Sequence, residues 1–214
     1  MAEPAELYSL VVVGNMNPRI HHPAWYAAVN ILSPEEAGAA SLTACTPVFT
    51  HFQLPGLAVL CTDERWEIQS QDANKLQRML DIAGRTFEAL MHTPISAFGL
   101  NFFFVRQTGL NDVGRRLAEL INGLPLGRRP AESDRTQLTT TTASPDRQIQ
   151  ETVSAAPEDA SFVRVAYNVN HPIRLEGVFF DLAPLLRRAF DEDFPECRAR
   201  ADLVGESLAV VRKE

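Results

Sequence analysis

The spacing of the apolar residues constrains this chain more than any other feature. Between residues 48 and 69 they fall in three short runs, Val48 to Phe52, Leu57 to Cys61 and Arg65 to Gln69. Pro55-Gly56 and Thr62-Asp63-Glu64 separate the runs, and Trp66 and Ile68 share one face of the third. This pattern predicts an antiparallel meander. The period then changes. Leu76, Met79, Leu80, Ala83, Phe87, Leu90 and Met91 recur at three- and four-residue steps. They form one helical stripe from about Asp72 to His92, stopped by Pro94.

The flanking sequence extends the pattern. Leu7 to Gly14 reads as a strand rich in β-formers, and the proline-broken stretch from Asn15 to Pro23 reads as irregular. Ser33-Pro34-Glu35-Glu36 opens a short helix ending near Ser41, with Ser as cap, Pro at the first position and acids in the first turn. Ala97 to Arg106 reads as a long buried strand. In the second half, Asp112 to Asn122 is helical and Gly123 ends it; Leu124 to Asp134 is a polar loop. Gln137 to Thr142, Arg147 to Ser154 and Phe162 to Val169 are strand candidates. Leu182 to Phe190 and Pro195 to Val211 read as two helices, with an acidic turn of Asp191, Glu192, Asp193 and Glu196 between them. The expectation is an α+β fold: an antiparallel meander sheet with long helices on one face. It forms a single domain over residues 1–214, built as two loosely similar βββα halves, 1–108 and 109–214.

Composition narrows the function classes. The net charge of -7 disfavours nucleic acid as a partner. Of 20 basic residues only Lys75 and Lys213 are lysine, a skew that reads as a GC-rich bacterial genome. No apolar run approaches the ~20 residues of a membrane helix, and the N-terminal sequence lacks the basic region of a signal peptide, so no membrane partner is expected. Cys45, Cys61 and Cys197 form no CxxC pair, which argues against a zinc knuckle or dithiol motif and fits a reducing cytoplasm.

The layout resembles a sporadically distributed family of uncharacterised bacterial proteins. Its members place a Gly-Leu-Arg-Tyr-Ile-Asn-like strand after a long helix, where this chain has Phe98-Gly99-Leu100-Asn101-Phe102. They end on an alternating strand and a helix, here Val163 to Asn170 and Leu182 to Leu208. Asn101 stands in place of the Arg, and Asn168 and Asn170 stand where acids would be. The resemblance implies the α+β class and assigns no chemistry.

The sequence holds no GxGxxG turn after the first strand, no GK[ST] loop, no GxSxG elbow, no SxxK and no HExxH. Its densest stretch runs from Asn17 to Tyr26, where Arg19, His21, His22, Trp25 and Tyr26 crowd together between prolines. Rigid aromatics beside Arg and His suit recognition of another protein. Adjacent histidines do not readily chelate one ion; a metal would need a further ligand such as His51, His92 or His171. His171-Pro172 reads as turn chemistry, and Arg115, Arg116, Arg128, Arg129 and Arg135, diluted by acids, as solvated surface. The expected function is a non-enzymatic cytoplasmic interaction protein without cofactor or metal, binding another protein or a second copy through residues 19–26. The alternatives are an enzyme with a dispersed His-containing site and a structural subunit of a larger assembly.

Overall fold

The computed structural model describes residues 6–123, 137–156, 159–173 and 181–210. Nine strands form one sheet. They are β1 (Leu7–Gly14), β2 (Ser41–Cys45), β3 (Phe49–Leu54), β4 (Leu57–Thr62), β5 (Arg65–Ser70), β6 (Ile95–Gln107), β7 (Gln137–Ala143), β8 (Gln148–Ala155) and β9 (Phe162–Pro172). Their order is β2-β3-β4-β5-β1-β6-β9-β8-β7, with every neighbouring pair antiparallel. The helices are α1 (Pro23–Ala28), α2 (Pro34–Gly38), α3 (Leu76–Ala89), α4 (Val113–Gly123) and α5 (Leu182–Val210). The α+β class expected from the apolar periods is the one that forms.

Two topologically related units meet at the centre of the sheet. Each begins with a strand and passes through helix to an outer strand. A meander then brings the chain back beside the first strand, and a long helix follows. The opening strands, β1 and β6, pair with each other, Leu10 opposite Leu100 and Val12 opposite Phe98. The second unit therefore starts at Ile95, whereas the sequence-based division at residue 108 falls after that strand. The loop expected from Leu124 to Asp134 lies outside the described residues.

Alternation of side chains assigns the two faces of the sheet. Tyr8, Leu10 and Val12 of β1, Trp66 and Ile68 of β5, Phe98 to Phe104 at even numbers in β6, and Val163, Val165 and Val169 of β9 point to the helical side and are buried. Phe87 of α3 meets Trp66 edge-on at 5.5 Å, and Phe194 of α5 packs on Tyr8 and Phe102. The helices α3 and α5 also pack on each other. A Cβ at Gly84 would lie 2.9 Å from the Cβ of Ala183, so this glycine lets the two helices approach closely.

Three local structures differ from the sequence reading. Pro23–Ala28 is helical, because Pro23 occupies the first position and the His22 Nδ1 accepts the Ala24 N–H at 3.1 Å. Ser41–Cys45 is an edge strand whose mostly exposed side chains carry no amphipathic signal. Leu182–Val210 is one helix with Pro195 inside it. Leu182, Leu186, Ala189, Asp193, Cys197, Ala201 and Leu208 keep a continuous buried stripe. Pro195 sits on the exposed side, where the amide it lacks leaves a carbonyl facing water. The acidic turn therefore does not exist; its residues lie in mid-helix, and Asp193 faces the core.

Candidate functional site

The segment expected to bind a partner is used mostly to hold the fold. Tyr26 is fully buried. Its hydroxyl accepts the Trp66 Nε1–H at 2.9 Å and lies 2.8 Å from the His21 Nδ1. The indole can only donate, so the phenolic oxygen accepts from it, and the direction of the second bond, between Tyr26 and His21, follows the His21 tautomer. His21 is 1% exposed, and burial lowers its pKa to about 4. His22 caps α1, Trp25 is half-buried against His21 and Tyr26, and Arg19 is exposed. Of the five residues, Arg19 is exposed, His22 and Trp25 are part-exposed, and His21 and Tyr26 are buried. The partner of His21 is a phenol, not a carboxylate.

An imidazole–carboxylate pair does occur, at a place the sequence reading assigned to turn chemistry. His171 lies near the end of β9, directly across from Phe98 of β6, and the two rings stack at 4.7 Å and 11°. Its Nε2 is 2.7 Å from Oδ2 of Asp193, whose side chain is fully buried. A carboxylate only accepts, so the hydrogen sits on Nε2. The other oxygen of Asp193 accepts from Nη1 of Arg147. Arg147 ends the β7–β8 turn, where the Ser144 N–H donates to the Arg147 carbonyl at 2.8 Å and the Arg147 N–H donates to Ser144 Oγ at 3.3 Å. Its Nη2 donates to Glu196 at 2.9 Å.

The network continues along the helical side of the sheet. Arg200 lies 3.7 Å from Glu196 and donates to Glu151 at 2.8 Å, while Glu151 accepts from the buried Tyr167 hydroxyl at 2.9 Å. Among the described residues no buried polar side-chain atom lacks a partner. A carboxylate in the buried stripe of a helix is costly unless it is paired, and Asp193 is paired on both oxygens.

His171, Arg147 and Phe98 border a cleft of about 560 Å³. Its apolar wall comes from Leu185, Ala189 and Ile173, and Asp146, Arg188 and Glu192 stand at its polar rim. The elements that converge there are the β7–β8 turn, the end of β9 and the first half of α5. The sequence did hold a signal for this site. Reading residues 182, 186, 189, 193, 197 and 201 as one stripe puts an aspartate in the core, and a core aspartate requires partners.

The remaining candidates have local accounts. Arg115 and Arg116 both pair with Glu119, and Arg128, Arg129 and Arg135 lie outside the described residues. Burial pushes the Cys61 and Cys197 thiols up to about 12, while Cys45 is exposed. Among the described residues no three His, Cys, Asp or Glu side chains converge as a metal site, and no helix is long and apolar enough to cross a membrane. No protein-family model matches the chain, and a search of curated proteins finds no match.

Proposed function

We propose that this chain is a non-enzymatic binding protein whose cleft at His171, Arg147 and Phe98 holds a small organic ligand with a polar end and an apolar body. The observation that carries this reading is the fully buried Asp193, which fixes both the His171 ring and the Arg147 guanidinium at the cleft wall. Preorganised polar groups beside an apolar wall, in a hollow of a few hundred Å³, are the usual makings of a ligand site. The free thiols Cys45, Cys61 and Cys197 support a reducing, cytoplasmic setting. For protein binding through residues 19–26, the accessible side chains are Arg19, His22 and Trp25.

The test is a fragment screen by NMR, read on the imidazole nitrogen shifts of His171. Binding fragments are expected to move those resonances. Leu185→Trp, which narrows the cleft from its partly exposed rim, is expected to abolish their binding. No responding fragment, or equal binding by Leu185→Trp, overturns the reading. Acid–base catalysis by His171 is a second reading, favoured by the same carboxylate that sets its tautomer. It requires a bound fragment to be consumed by the wild type and spared by His171→Gln.

A further inference from the structure

The helices lie on one side of the sheet. The opposite face, with no helix over it among the described residues, carries Val11 and Val13 of β1, Leu60 of β4, and Phe103 and Val105 of β6, all partly exposed. From the middle of β1 and β6 toward β7 the same face turns mostly to amides and hydroxyls, with Arg164 of β9 among them. There Asn168 donates to Asn101 at 2.6 Å, Asn101 donates to Ser9 at 2.9 Å, and Thr139 meets Thr152 at 3.1 Å.

Charge is the telling feature. Charged residues make up 22% of the chain, and the surface of a folded protein holds most of them. Along β1 and β3 to β9, Arg65, Glu67 and Arg164 are the only side chains on this face with a formal charge at neutral pH. The acids and bases of the fold sit on the helical side, at its rim and in the turns. Depletion of charge is the compositional mark of the core of a protein–protein interface.

We infer that this open face docks onto the same face of a second copy of the chain, sheet against sheet. Size and charge both favour a second copy as the occupant. With strands ~4.8 Å apart and ~3.3 Å per residue, the face covers on the order of 800 Å², the area each partner contributes to a standard interface. An identical face brings Arg65 and Glu67, already paired at 3.6 Å, and Arg164, with no block of like charge to repel, although each chain carries a net -7.

Sedimentation velocity of the full chain under reducing conditions, at micromolar concentrations, tests the inference. The expected species has twice the 23.7 kDa of the chain. Val11→Arg, at the centre of the face, is expected to give a monomer with an unchanged far-UV circular dichroism spectrum. Leu60→Lys on β4 and Val105→Lys toward the end of the central strand β6 are expected to weaken association at least tenfold, and they keep the test alive if Val11→Arg fails to fold. Leu203→Glu, on the outer side of α5, is expected to leave the dimer intact. A monomeric wild type overturns the inference and leaves the face to another segment of the chain or to a different protein. A dimer that survives the Leu60 and Val105 substitutions also overturns it, by placing the interface elsewhere.

Discussion

At the scale of single residues, His21 links burial to pH. Its folded-state pKa, about 4, lies below the ordinary 6.5 because burial disfavours the imidazolium. Below pH 6.5 the unfolded chain takes up a proton that the native ring refuses. Stability from this group is therefore complete above about pH 6.5 and is lost as pH falls toward 4. The total is about 3 kcal/mol, since each pH unit separating the folded and unfolded pKa values is worth about 1.4 kcal/mol. Urea unfolding of wild type and His21→Gln at pH 7.5 and pH 4.5 measures it. The wild type should lose more stability than the variant, and parallel losses would refute the account. The sequence made His21 conspicuous by its neighbours, and the structure buries it among them. Its crowding with Trp25 and Tyr26 marked a cluster, but only tertiary contact with Trp66, forty residues away, turns that cluster inward. His171 and Asp193 were the reverse case. Each looked ordinary in its own segment, and their pairing across 22 residues is a property of the folded sheet and helix.

At the scale of elements, α3 and α5 show how packing overrides local propensity. Eight of the strands, together with α3, followed from apolar period and turn residues, because amphipathic patterns are written locally. The single long α5 did not, since Pro195 and four neighbouring acids argue for a break until the continuous buried stripe is weighed against them. Edge strand β2 escaped for the opposite reason: with little to bury, it carries no pattern. The contact between the two long helices gives a sharp test. Gly84→Val would force side-chain atoms into Ala183 and is expected to cost about 2 kcal/mol through overpacking. Gly84→Val combined with Ala183→Gly should recover part of that loss. Chemical denaturation of both measures the coupling, and an unrecovered double variant would mean the helices are held apart by something else.

At the scale of the whole molecule, the order of the strands is the part that no segment announces. The meander β2 to β5 follows chain order, but β1 joins it through β5, and β9 separates β6 from β8. Such pairings depend on which long-range partner wins, a choice that local periodicity does not encode. That order also governs the birth of the molecule. Beside β6, the strand with four phenylalanines, the interior place belongs to β9, which is made after β7 and β8. A nascent chain that has reached residue 160 therefore presents β6 as an open edge, already paired to β1 and ready to recruit any passing strand. Translation of this protein has a vulnerable interval that closes only when Phe162 to Pro172 leaves the ribosome. A chain truncated at residue 160 is expected to pellet or to copurify with chaperones, while the full chain does not. If the truncated chain remains monomeric and unattended, the β7–β8 hairpin must be able to seal β6 by itself.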